Sequence, residues 1–174
     1  RSTARTTTTT WSEGRWAGKR ALEFRSTGDR VRFSVPGEHR ATTCILWVFV
    51  EEMPHPYHSL LHSVAQRPGE VRWSLNQDGA LGVAVRGTMN PGGPSFHRVV
   101  TQAQPLREIV GRWVCFGLTY DSETRVLAHY RNGELIYPSQ LPPGAFPAVY
   151  GIVELANWGV DPQEPKESKE AIPE

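Results

Sequence analysis

Histidine and carboxylate spacing is where this sequence first invites a chemical reading. His55, His58 and His62 fall within eight residues of one another. On a strand His58 and His62 share a face but stand ~13 Å apart, whereas zinc needs ligand nitrogens ~2.1 Å from the ion. A bend at Pro54 and Pro56 would bring His55 and His58 closer, and solvated surface histidines are the plainer reading. Glycoside hydrolysis on a strand calls for carboxylates at alternate positions, E-x-D-x-E, so that an acid and a nucleophile reach one face ~5.5 Å apart. Here Glu51 and Glu52 are consecutive and face opposite ways, and Glu154 stands alone among Val, Leu and Ala. Gly-x-Ser-x-Gly, Walker and Cys-x-x-Cys patterns are absent, so nucleophilic, phosphate-binding and zinc-ribbon chemistry have no foothold. Asp29, Asp78 and Asp121 sit in turns, where an Asp side chain bonds its own backbone. A rim calcium ion on one of them is the alternative, because oxygen-ligand sites leave weak traces in sequence. No catalytic constellation and no dedicated metal set emerges; the expectation is a protein that is not an enzyme.

The elements that would carry any site are strands. Alternating apolar and polar residues recur between turn signals: Ala21–Phe24, Val31–Val35, Thr42–Val50, Leu60–Val64, Val71–Leu75, Leu81–Val85, Phe96–Val100, Trp113–Tyr120, Val126–Tyr130, Leu135–Tyr137 and Gly151–Trp158. Asp78-Gly79 makes a short hairpin turn between the fifth and sixth of these. With no 3.6-residue stripe and no fixed internal repeat, the expected class is all-β, a two-sheet antiparallel sandwich.

Side-chain parity then assigns faces. Val71, Trp73 and Leu75 share a face with Leu81, Val83 and Val85, which must be core. Arg72, Ser74, Asn76, Ala84 and Arg86 take the other face. There Arg72, Asn76, Arg86 and His97 are expected to converge beneath the Gly87–Pro94 loop and offer donors to an acidic sugar or a carboxylate; an ordinary solvated face is the alternative. On the long strands Ile45, Trp47 and Phe49 are expected inward with Val114, Phe116 and Leu118, so Trp47 and Trp73 have core parity. Trp11, Trp16, Trp113 and Trp158 are ambiguous. The same parity places Cys44 and Cys115 together opposite the bulky set. If their strands are neighbours, a disulfide would close a loop of roughly seventy residues and add roughly 4 kcal/mol in the chain-entropy model; unpaired, each is a small sheet residue.

Composition bounds the rest. The 174 residues suit one domain. Nineteen Lys and Arg against 18 Asp and Glu leave a formal charge of +1, without the basic stripe of a nucleic-acid binder. The longest apolar stretch, Cys44–Val50, has strand length, and nothing approaches a membrane helix of ~18 apolar residues. Residues 1–15, with the Thr6–Thr10 run, are expected as a linker or stalk, 16–160 as the folded domain, and 161–174 as a charged, Pro-rich tail. Both ends fit a domain within a longer protein.

In order, Ala21-Leu-Glu-Phe24 with Asp29 and Val31, the Thr42–Val50 strand, Gly79-Ala-Leu-Gly82, Gly111–Asp121, Arg131-Asn-Gly-Glu134 and Glu154–Trp158 resemble the laminin G-like, concanavalin A-like jelly-roll family, related in shape to pentraxins and legume lectins. The resemblance covers most of residues 16–160. It implies a concanavalin A-like jelly roll, and the placing of Cys44 and Cys115 looks like the pentraxin disulfide. It also implies an extracytoplasmic recognition module that binds carbohydrate or another envelope ligand, in some relatives fused to FecR-like anti-sigma regulators. A protein-interaction or spacer domain is the alternative. Two departures matter. Arg67-Pro-Gly-Glu70 stands where pentraxin-like calcium sites have an Asp-Asn pair, and the family's closing strand, partner of Ala21–Phe24, is missing, which would leave an edge open.

Overall fold

Strict alternation in the hairpin that begins at Val71 predicts which side chains meet across it, and the computed structural model of the chain reproduces that pairing rung for rung. It describes residues 5–7, 9–26, 28–65, 67–90 and 93–155. Thirteen strands follow in chain order: β1 Arg5–Thr7, β2 Thr10–Glu13, β3 Arg20–Glu23, β4 Arg30–His39, β5 Ala41–Phe49, β6 Tyr57–Ser63, β7 Val71–Asn76, β8 Leu81–Asn90, β9 Gly93–Val100, β10 Trp113–Asp121, β11 Val126–Arg131, β12 Glu134–Gln140 and β13 Ala148–Leu155. One 3-10 turn, Leu106–Glu108, precedes β10. Seven strands form one sheet in the order β1-β4-β13-β6-β7-β8-β9, four form a second in the order β12-β11-β10-β5, and β2 with β3 makes a separate hairpin. All named strand pairs are antiparallel. The expected two-sheet antiparallel jelly-roll sandwich is the fold.

The core lies between the two sheets. Val71 faces Val85, Trp73 faces Val83 and Leu75 faces Leu81 across β7 and β8; all six are buried, and they meet Val114, Phe116, Leu118, Tyr120 and Leu127 of the second sheet. Burying such side chains contributes about 1.5–3 kcal/mol each. The Tyr120 hydroxyl spans inward to donate to the Phe146 carbonyl, and burial pushes its pKa up to about 12. The chain crosses between sheets at four places, the tightest being the single residue Arg40 between β4 and β5.

Several expectations are corrected. β5 lies beside β10 with Leu118 opposite Cys44, Phe116 opposite Leu46 and Val114 opposite Val48. Directly paired residues share a face, so Cys44, Leu46 and Val48 point inward with the core of β10. Ile45, Trp47 and Phe49 point outward and are 64%, 36% and 43% exposed. Cys115 is paired with Trp47 and so faces outward as well. The two cysteines therefore occupy opposite faces of one sheet, and both are free thiols. Cys44 instead contacts the Tyr150 hydroxyl at 3.5 Å, and burial raises its thiol pKa above the ordinary value. Of residues 1–15, β1 pairs with Arg30–Arg32 and β2 pairs with β3. The closing strand starts at Ala148 rather than Gly151, and residues 156–174, with Trp158 and the 161–174 tail, lie outside the described residues.

Candidate functional site

Among the described residues, the outer face of the seven-stranded sheet gathers most of the paired charges. Register carries one transverse row across six strands: Arg32 beside Glu154, Glu154 beside His62, His62 beside Arg72, Arg72 beside Ala84, and Ala84 beside Arg98. One step along the strands, Glu70 extends the outward parity of Arg72. It is fixed by backbone bonds: Arg86 N–H donates to the Glu70 carbonyl at 2.8 Å, and Gly69 N–H to the Arg86 carbonyl at 2.7 Å. Gly69 must be glycine: its φ is +91°, and a Cβ there would collide with the Pro147 carbonyl.

The Glu70 carboxylate is 1% exposed and held from both sides. Its Oε1 accepts Arg72 Nε and Nη2, each at 2.7 Å, and its Oε2 accepts Arg86 Nη1 at 3.1 Å. His62 Nε2 lies 3.9 Å from Oε1. A carboxylate this deep is tolerated because charged hydrogen bonds replace its water. Across the row Glu154 Oε1 accepts Arg32 Nε at 2.5 Å, with Arg30 Nη1 at 3.9 Å. Burial lowers the His62 pKa below its ordinary value, and Arg72 adds to that fall, against the opposing pull of Glu70 and Glu154. Among the described residues, five guanidiniums (Arg30, Arg32, Arg72, Arg86, Arg98) and the carboxylates of Glu70 and Glu154 lie around this row. Phe96 lies among them, with the Arg72 guanidinium 5.1 Å and that of Arg98 5.9 Å from its ring centre. Tyr57, paired with Asn76, takes the same outward face.

Of the four residues expected to converge here, three share the outward face, and Arg72 and Arg86 meet on Glu70. Arg72, Asn76 and Arg86 share the face, with Asn76 Oδ1 accepting the Ser74 hydroxyl at 3.4 Å. His97 does not: it pairs with Val85 and so turns to the inner side. Its neighbours Phe96 and Arg98 occupy the outward positions instead. Sequence reasoning misses Glu70, His62 and Glu154 as members of the site, although extending the alternation of β7 by one step places Glu70 beside Arg72.

Asp29, Asp78 and Asp121 each bond their own turns. Asp29 Oδ2 accepts Arg25 N–H at 2.6 Å and Ser26 N–H at 3.0 Å, Asp78 accepts Ala80 N–H at 3.0 Å, and Asp121 accepts Glu123 and Thr124 N–H at 2.8 and 3.0 Å. His55 and His58 approach to 6.0 Å between ring centres. Among the described residues no three His, Cys, Asp or Glu side chains are grouped to hold a metal ion. Nor, among those residues, is any helix long and apolar enough to cross a membrane.

A second feature lies on the opposite side of the sandwich. The outer face of the four-stranded sheet exposes Ile45, Trp47 and Phe49, together with Val126 and Leu135. Trp16, on the β2–β3 turn, meets Trp47 edge-on at 5.5 Å. The Arg15 guanidinium sits 3.5 Å above the Trp47 ring, and Phe49 meets Trp113 at 5.7 Å.

Among the described residues, then, this all-β sandwich carries one ionic and one apolar outer face. No protein-family model and no curated protein matches the chain. Solved structures do. The receptor binding domain of botulinum neurotoxin D superposes with a TM-score of 0.67 at 10% identity, over 92% of this chain and 41% of its own. The ligand binding domain of botulinum neurotoxin serotype D in complex with N-acetylneuraminic acid gives 0.67 at 12%, over 92% and 39%. The binding domain of Paraclostridial Mosquitocidal Protein 1 gives 0.67 at 11%, over 88% and 39%. The chain thus spans about two fifths of the length of these structures, and the likeness is one of fold.

Proposed function

We propose that the domain is a non-catalytic recognition module that binds an acidic carbohydrate on the outer face of its seven-stranded sheet, outside the membrane and within a larger envelope protein. The observation that carries this reading is the partly exposed Arg72 and the exposed Arg98 flanking Phe96 on the outward face of the sheet. A guanidinium fork matches a sugar carboxylate in two parallel hydrogen bonds, and an aromatic ring supports the apolar face of a pyranose. Glu70 acts as a positioning group: it fixes Arg72 and Arg86 so that less side-chain entropy is lost when a ligand binds. The N-acetylneuraminic acid complex of a structure of the same fold agrees with an acidic sugar as ligand. A FecR-like regulatory parent protein belongs to the same reading and rests on the sequence resemblance alone.

The test is a glycan array carrying sialylated and uronic-acid glycans beside neutral ones, read with and without calcium. Binding to acidic glycans that Arg98→Ala and Phe96→Ala abolish is the expected result; both changes leave the Glu70 pairs intact. A blank array in both conditions refutes it. A second reading, an interaction domain without a small ligand, draws on the exposed apolar face of the other sheet.

A further inference from the structure

Sheet edges are where one protein chain pairs with another, and folded proteins blunt them with charge, proline, bulges or brevity. Three of the four edges of this sandwich follow that rule. β1 is three residues long, β9 carries Pro94 and Arg98, and β12 carries Glu134 and Pro138 with a register shift against β11. β5 does not. Ala41-Thr-Thr-Cys-Ile-Leu-Trp-Val-Phe49 has no charge, no proline and no glycine. It pairs with β10 through nine consecutive rungs without a bulge. Among the described residues no strand and no loop backbone bonds to its other side.

The backbone groups on that side can be named. Ser122 N–H donates to the Arg40 carbonyl at 2.8 Å, so Arg40–Ser122 is a hydrogen-bonded pair. Such pairs alternate along an antiparallel ladder. Thr42, Cys44, Leu46 and Val48 therefore bond to β10, while Ala41, Thr43, Ile45, Trp47 and Phe49 direct their N–H and C=O groups away from the sheet. Those five residues are also the ones whose side chains form the exposed stripe.

We propose that β5 is a homodimer interface, pairing antiparallel with β5 of a second copy about a two-fold axis at Ile45. In that register Ile45 meets Ile45 of the other copy, Thr43 meets Trp47, and Ala41 meets Phe49, each as a hydrogen-bonded pair. About ten backbone hydrogen bonds close the edge. The two four-stranded sheets become one of eight strands, and the exposed stripes join into one apolar band. The strand itself holds no charge to repel its copy, and the self-paired register uses every outward-directed N–H and C=O group of Ala41, Thr43, Ile45, Trp47 and Phe49. This inference is independent of the carbohydrate reading, which concerns the other sheet.

Sedimentation equilibrium from about 1 to 100 µM tests it. The expected result is a mass rising with concentration to twice that of the monomer. Ile45→Lys sets two lysines together at the axis and should weaken the dimer at least about tenfold. Because Ile45 is exposed, the fold should be retained; Val126→Lys, on the same face but two strands away, should still dimerise. A wild-type chain monomeric throughout this range overturns the proposal, and so does a dimer that Ile45→Lys leaves intact.

Discussion

His129, on β11, is the clearest point of weakness in an otherwise apolar core, and replacing it by leucine should show how much. Its register partners are Leu118 and Tyr137, its side chain is 0% exposed, and neither ring nitrogen has a hydrogen-bond partner. Burial alone lowers its pKa from 6.5 to about 4. In the folded protein the ring therefore stays neutral while the unfolded chain takes up a proton as pH falls below 6.5. The unfolded state then binds more protons, so stability falls with pH. The loss begins near pH 6.5, accumulates towards pH 4 and is constant below that. Where the folded ring is neutral and the unfolded one protonated, each further pH unit costs about 1.4 kcal/mol, so the loss between pH 7.5 and pH 5 is about 2 kcal/mol. His129→Leu removes this pH dependence. It also relieves the unsatisfied ring N–H, a gain of about 1–3 kcal/mol that does not vary with pH. Urea unfolding of both proteins at pH 7.5, 6.5, 5.5 and 5 separates the two effects. The leucine variant should be more stable at every pH, and its advantage should widen by about 2 kcal/mol on going to pH 5. His58 and His62 titrate in both proteins and cancel from the difference. If the advantage stays constant across this range to within about 0.5 kcal/mol, burial does not hold the ring neutral and the expectation is wrong.

Other substitutions probe the ionic face and the thiols. Glu70→Gln leaves Arg72 and Arg86 without their shared carboxylate and should destabilise by about 3–5 kcal/mol in chemical denaturation; a loss under about 1 kcal/mol would mean that solvent already supports both guanidiniums. Gly69→Ala meets the Pro147 carbonyl at a positive φ and should cost several kcal/mol, while Gly144→Ala, with open space around it, should cost about 1 kcal/mol. With thiol reagent, the native protein should react quickly at Cys115 and slowly at Cys44, and the unreduced, unfolded chain should titrate two thiols; a shift of the unfolding midpoint with reductant would contradict the register of β5 against β10.

What the sequence made legible follows from where polar residues mark the faces. In β7 and β8 every second position is polar or small, so the inward set of Val71, Trp73, Leu75, Leu81, Val83 and Val85 is read directly. β5 offers no such marker. Cys44, Leu46 and Val48 alternate with Ile45, Trp47 and Phe49, both sets apolar, and bulk points to the wrong one. The core takes the slimmer set because β10 already fills the space opposite with Phe116, Leu118 and Tyr120. That one inversion carries the disulfide expectation with it. His97 misleads for a different reason. Nearness to the Gly87–Pro94 loop groups it with the arginines, whereas its face is set by the rung it shares with Val85, and the irregularity between Arg86 and Met89 hides that register. Glu70 lies in a Pro-Gly turn, where a carboxylate reads as solvated; only the packing of Arg72, Arg86 and His62 over it reveals its burial.

The position of β13 bears on how the chain comes to fold. Although it follows every other strand among the described residues, it lies near the middle of the seven-stranded sheet, between β4 and β6. On the ribosome, β4 joined to β1 and β6 joined to β7 cannot be bridged to each other until residues 148–155 have emerged, more than a hundred residues after β4. Loops of that length must close before this pairing is rewarded. Among the described residues the sheet is completed by the strand made last, so its two parts stay unjoined until residues 148–155 are available, and a ribosome-stalled chain ending before Ala148 holds two part-sheets rather than a smaller sandwich.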